Sequence, residues 1–397
     1  MTQKKNPHLK LVKPLDLGEI KQKARIYRKK KVRRYMANAF IAFMVLLGTY
    51  LLLTNHSYDA IYRSTSYKKE TSDGNRYVTF QDGIVRYSRD GIAFLNHKNE
   101  ELWIQPGQFK KPVFVSKEHT FAVGDVGGNS IQVFTENGLK GEIETTLPIE
   151  RVAISDQGVV SVILKNENSP AIVTYDAVGN ILVEMQITVN DIGYPTALDM
   201  SDDGTVLAVS YIYTEGTTLK SKVAFYNFSD AGKEKPDHQV SLEEYENSIM
   251  PEVFFMNSST SVVAGDHSFV IYEGKETPAK KREVEIGQEI RSVFHTEKYI
   301  GFVLLNAEKT GYEVRLYNKA GKQIMNRAFS GEYSNVQMIG DEIFMFEGSK
   351  CCIITKTGLV RFKGDMRTEV LAMIPLTGIN RYLVMSANDV RVIYLTK

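Results

Sequence analysis

The sequence predicts an all-β chain: a β-propeller of eight blades, with seven as the alternative, preceded by one N-terminal transmembrane helix. Three observations carry this reading. A short apolar motif recurs eight times, from Ile92 to Val390, at a step of about 43 residues. Turn-forming Gly, Asn and Asp residues separate the motifs at short spacing. An uncharged stretch, residues 36–54, follows a strongly basic N-terminus.

The N-terminal elements rest on charge. The 397 residues sum to a formal charge of only +2, but the distribution is uneven. Residues 1–35 hold thirteen Lys/Arg and two acids, a net +11; residues 36–54 hold no charge; the remainder carries −9. Nineteen residues at about 1.5 Å rise cover about 28 Å as a helix, close to a hydrocarbon core of about 30 Å. Tyr35 and Tyr50 stand where interfacial aromatics belong. Basic residues ahead of the span predict a single-pass protein of the cell membrane, N-terminus cytoplasmic and C-terminal domain extracytoplasmic. The basic region is longer than the n-region of a cleaved signal peptide, and no small-x-small site follows Leu53, so the span reads as a retained signal-anchor. Within the cytoplasmic arm, 1–35, Asp16 and Glu19 resemble a capping pair, and Ile20, Ala24 and Tyr27 recur at helical spacing. No recognition motif accompanies the charge, so nucleic acid is not an expected partner. Residues 55–76 are polar and read as a stalk.

Residues 77–397 read as the propeller. The recurrent motif is Ile92-Ala93-Phe94-Leu95, then Ile131-Gln132-Val133-Phe134, Ile172-Val173-Thr174-Tyr175, Val223-Ala224-Phe225-Tyr226, Phe269-Val270-Ile271-Tyr272, Val314-Arg315-Leu316-Tyr317, Cys352-Ile353-Ile354-Thr355 and Val390-Arg391-Val392-Ile393. A period of about 40–50 residues holding about four strands is that of a propeller blade. A second unit aligns Ser155-Asp156-Gln157-Gly158 with Ser201-Asp202-Asp203-Gly204; both read as tight turns, with the Asp side chains bonding their own backbone. The last blade runs out of chain after Tyr394, so a strand near Arg76–Phe80 is expected to complete it. Hydrophobic residues at 43% exclude global disorder, and two cysteines exclude a disulfide scaffold.

Gly83-Ile84-Val85-Arg86-Tyr87-Ser88-Arg89-Asp90-Gly91-Ile92, Glu101-Leu102-Trp103, Gly193-Tyr194-Pro195 and Phe225-Tyr226-Asn227-Phe228 occur in an order that resembles a family of single-pass membrane proteins of Gram-positive, largely clostridial, bacteria, known as a domain of unknown function. The resemblance covers nearly all of 77–397. It implies a propeller-like extracytoplasmic domain and supplies no activity. Asp90-Gly91-Ile92-Ala93-Phe94-Leu95 with Trp103 also resembles the tryptophan-docking motif of pyrroloquinoline-quinone-type propellers, an architecture shared by dehydrogenases and envelope assembly scaffolds. Trp103 is the one tryptophan of the chain, so the docking motif is not repeated.

Chemistry is sparse. The seven histidines show no metal-ligand spacing, and no phosphate loop or nucleophile elbow occurs. No metal or cofactor is therefore expected. The reading is a binding scaffold without catalysis, its partner an envelope protein or glycan. The alternative is an extracytoplasmic enzyme, either a quinone-dependent dehydrogenase or a polysaccharide-cleaving enzyme. Long insertions around 213–219 and 231–246 mark the fourth blade as the partner surface, with Trp103, Tyr194, Tyr211 and Tyr213 as aromatic contact candidates. Cys351-Cys352 is a possible redox pair. Neighbours on a strand point to opposite faces, which favours two packed thiols over a bridge. Alkylation without reductant, read by mass spectrometry, is expected to label both thiols; an unlabelled, bridged pair would restore the redox reading.

Overall fold

The computed structural model describes residues 17–54, 56–68, 74–166, 169–306, 308, 311–387 and 389–397. Asp16 of the expected capping pair, and residues 55 and 69–73 of the expected stalk, lie outside them. The chain divides into two compact units, residues 1–56 and 57–397.

The first unit contains α1 (Leu17–Thr54), one helix of 38 residues. Arm and span are thus not separate elements. No proline falls inside the helix, and its Lys, Arg, Ala, Leu and Met residues all favour helix. Among the described residues, no helix is long and apolar enough to cross a membrane. The span read from sequence ends on residues 51–54, whose side chains lie outside the described part.

The second unit is an eight-bladed β-propeller. Each blade is a four-stranded antiparallel sheet. Blades 1 to 7 occupy residues 76–106, 112–144, 149–186, 194–245, 252–285, 290–329 and 335–365; blade 8 joins 372–396 to Ala60–Lys68. Strands are lettered A to D within a blade. The A strands of neighbouring blades meet, so A lines the channel and D forms the rim. Strand direction alternates, which puts the A–B and C–D turns at one end of the ring. The B–C turns and the D–A connections lie at the other.

The eight recurrent motifs are the eight C strands. They were legible because B and C strands are buried on both faces; Val160–Leu164 and Ala171–Tyr175 are buried throughout. The apolar residues form eight clusters, each filling the seam between two adjacent blades. Successive residues serve different seams. Val162 and Leu164 face blade 2, while Ile163 faces blade 4. This is the period-2 alternation of a strand with a neighbour on each side.

The ring closes between the chain termini, but through a different strand from the expected one. Ala60–Lys68 is strand D of blade 8; it pairs antiparallel with Asp389–Thr396, Ala60 opposite Thr396 and Lys68 opposite Asp389. Residues 60–68 therefore belong to the propeller and not to a stalk. Arg76–Phe80 is strand A of blade 1 and buries Tyr77 and Phe80. The cause is exposure. A D strand lies on the rim, where Tyr62 is 62% exposed, so residues 60–68 carry little of the apolar signal that marks inner strands.

A polar clasp holds the start of the closing strand. The Tyr58 backbone N–H donates to the Arg361 carbonyl at 2.8 Å, and Ser57 Oγ donates to the Val360 carbonyl at 2.7 Å. Arg361 donates to Asn380 Oδ1 at 2.7 Å and pairs with Glu342 at 3.1 Å. The Tyr382 hydroxyl donates to Glu342 Oε2 at 3.0 Å. Burial raises the Glu342 pKa, and Arg361 offsets part of that. Removing one partner of such a pair costs about 3–5 kcal/mol. A chain lacking residues 1–56 is expected to melt cooperatively, whereas one lacking 1–68 leaves an open edge on Asp389–Thr396 and is expected to aggregate. Equal melting temperatures for the two would show that closure does not hold the ring.

Candidate functional site

Blade 4 departs from its neighbours, as its length foretold. Its B and C strands, Val206–Glu215 and Thr218–Asn227, have ten residues each against five to eight elsewhere. At about 3.4 Å per residue its strands are longer than those of the adjacent blades by about 14–17 Å. The 213–219 insertion is thus a hairpin tip at the B–C end. The 231–246 insertion belongs to the C–D connection, with short helical turns at Asp230–Lys233 and Pro236–His238. The two insertions lie at opposite ends of the ring, because consecutive turns of a meander alternate ends. They are not one surface.

The aromatic candidates separate by depth. Trp103 is half-buried on strand D of blade 1. Its ring stacks on Phe94 and Phe134 at 5.7 and 5.2 Å, and Nε1 donates to the Glu136 carbonyl of blade 2 at 2.8 Å. The geometry docks one blade to the next. Tyr211 is wholly buried, its hydroxyl 2.7 Å from that of Tyr226, so it cannot meet a partner. Tyr194 is half-buried; its hydroxyl donates to Glu150 Oε2 at 2.6 Å. Burial, helped by the Glu150 carboxylate, pushes its pKa up to about 12. Tyr213 is half-buried as well and stands two residues from the end of its strand, near the hairpin tip. Lys222 Nζ lies 4.6 Å from its ring centroid and 3.2 Å from Glu244, which fixes the ring at the base of the hairpin tip.

The B–C end has two clefts, one beside this hairpin and one farther round the ring. One, of about 490 Å³, lies between blades 4 and 5 and is lined by Glu244, Glu246, Glu283 and Glu285. On its edge Ser248 Oγ donates to Asp266 at 2.6 Å, and His267 Nδ1 lies 3.1 Å from the same carboxylate. Burial alone would raise the Asp266 pKa; these two contacts outweigh it and lower it. The other cleft, of about 390 Å³, lies between blades 6 and 7 and is lined by Tyr312, Phe329 and Tyr333 with Arg291, Glu332 and Glu347.

The A–B end gathers polar groups that sequence spacing hid. Lys117 of blade 2 reaches Asp199 of blade 4 at 3.0 Å and Asp202 at 3.7 Å. Asp199 also accepts from the Phe255 backbone N–H of blade 5 at 2.6 Å. His119 Nδ1 lies 2.7 Å from Asp156, which raises the pKa of the imidazole. His295 stacks on Phe254 at 3.9 Å. Enclosure by its surroundings lowers the His295 pKa, although the residue keeps exposed surface. The tight turns themselves rest on Ser155 Oγ, Ser201 Oγ and Asp203, which accept from turn N–H groups. Asp156 and Asp202 instead point to other blades. The recurring A–B turn position was the available signal. With each of these carboxylates engaged between blades, the cluster ties the channel mouth together.

Cys351 and Cys352 are free and buried. Cys351 belongs to the seam between blades 7 and 8, with Sγ 3.7 Å from Met373 Sδ; Cys352 belongs to the seam between blades 6 and 7. The structure does not bring the two thiols together. Burial pushes both thiols up, Cys352 to about 11, away from a reactive thiolate. Among the described residues no cluster of His, Cys, Asp and Glu has the arrangement of a metal site.

No sequence among the curated proteins matches the chain. Solved structures are similar to it. BamB from Moraxella catarrhalis is 12% identical with a TM-score of 0.50, over 84% of this chain and 100% of that one. Apo AztD from Citrobacter koseri is 10% identical with a TM-score of 0.48, over 74% and 87%. Hsv2p from Kluyveromyces lactis is 8% identical with a TM-score of 0.46, over 73% and 97%. At such identities the likeness is one of fold alone. Membership is closer at hand: residues 54–395 match a family of unknown function, DUF5711, and the chain belongs to that family.

Proposed function

We propose that this protein is a membrane-anchored, extracytoplasmic propeller that binds a protein or glycan of the cell envelope without catalysis, through the B–C end of its ring. The observation that carries the reading is the blade 4 hairpin, ten residues a side, with Tyr213 near its tip. Long loops on a rigid scaffold are where propellers and similar folds place recognition. The cleft between blades 4 and 5 adds concave surface beside the hairpin, and the cleft between blades 6 and 7 adds more at the same end of the ring. The A–B end is instead cross-linked between blades.

The anchor is read from α1. Phe40, Ile41, Phe43, Val45 and Leu46 are each more than half exposed and cover consecutive positions around the helix. A helix apolar on all sides suits lipid better than a single protein face. The basic residues ahead of residues 36–54, net +11 over 1–35, set the cytoplasmic side. In this reading the envelope is that of a Gram-positive cell, as the sequence resemblance implies.

A photo-crosslinking residue at Tyr213 in intact cells is expected to capture an envelope partner. Replacing 213–219 by a two-residue turn is expected to remove other B–C-end cross-links while leaving the melting temperature within a few degrees. An unchanged cross-link pattern after that replacement would move the binding surface elsewhere.

A further inference from the structure

We propose that the cleft between blades 6 and 7 at the B–C end binds a neutral oligosaccharide; the proposal rests on the scaffold reading above and names a ligand class for it. Tyr312 and Phe329 are directly opposed on strands C and D of blade 6. Their rings lie 5.9 Å apart at 20°, and Tyr333, in the connection to blade 7, lies 5.9 Å from Phe329 at 41°. The three rings form one continuous aromatic wall. Gly331 has φ of 111°, and a Cβ there would come within 3.2 Å of the Tyr333 ring. Glycine is therefore what lets the connection turn back and lay Tyr333 against the wall.

The charged groups in the cleft decide the ligand. Arg291, Glu332 and Glu347 line the same cleft and are all exposed. Aromatic rings with carboxylates alone would suit a cation, and rings with a guanidinium alone an anion. Both signs beside aromatic faces suit a neutral, polyhydroxylated ring compound. Its C–H faces pack on the rings, and its hydroxyls donate to the carboxylates and accept from the guanidinium. The cleft of about 390 Å³ is within the usual range for small-molecule sites. The cleft between blades 4 and 5 differs in carrying carboxylates of one sign, and it is not part of the proposal.

The test uses the full chain in lipid nanodiscs and saturation-transfer NMR with cellotetraose, maltotetraose and chitotetraose as probes. At least one is expected to bind, with affinity lowered about tenfold by Tyr312→Ala and retained by Tyr312→Phe. Glu347→Gln alters an exposed side chain and is expected to weaken binding while the fold is unaffected, so it carries the test should Tyr312→Ala fail to fold. Binding of no probe, binding indifferent to these substitutions, or binding of tetramethylammonium in place of the sugars would each overturn the proposal. If the sugars fail while cross-links through position 213 persist, this inference falls and the scaffold reading stands.

Discussion

The pairing of Ala60–Lys68 with Asp389–Thr396 is the interaction on which the rest of the ring depends. A single blade has two apolar faces and cannot bury both alone. Each seam solves half the problem for two blades, so the arrangement is complete only when blade 8 meets blade 1. The seam between them, with Tyr77, Ile84 and Leu95 on one side and Met385, Val390 and Val392 on the other, exists only in the closed ring. Hydrogen bonding along the outer strand and the clasp around Arg361 and Glu342 fix that closure. The segment that follows α1 in sequence is thus the one that completes the ring.

Closure also explains why polar groups far apart in sequence become neighbours. Lys117 and Asp199 are 82 residues apart and meet because the A–B turns of blades 2 to 5 converge on the channel mouth. These contacts brace one end. The other end keeps the long hairpin and two clefts of about 490 and 390 Å³, against one of about 260 Å³ lined by Lys117, Asp156, Asp202 and His295 at the braced end. That asymmetry, and not any catalytic grouping, is what directs the functional reading to the B–C end.

Sequence revealed the elements that are buried on both faces and hid those that are not. The eight C strands repeat because each must present apolar residues to two seams. The closing strand was misplaced because the rim imposes no such demand, whereas Arg76–Phe80, with two buried aromatics, looked more like a sheet strand. Tyr211 and Tyr213 show the limit of reading contacts from a motif. They share a face of one strand, yet Tyr211 lies inside a seam and Tyr213 lies near the hairpin tip. Tyr312, Phe329 and Tyr333 went unnoticed because only strand pairing and a glycine turn bring them together.

The proposal that an anchored ring is displayed outside the membrane is tested most directly by cysteine accessibility in intact cells. Cys351 and Cys352 are buried, so an added surface thiol is labelled selectively. A membrane-impermeant maleimide is predicted to label Leu219→Cys at the hairpin tip, and to label Ile26→Cys in the basic arm only after the cells are opened. Labelling of Ile26→Cys in intact cells, or protection of Leu219→Cys until lysis, would contradict the account.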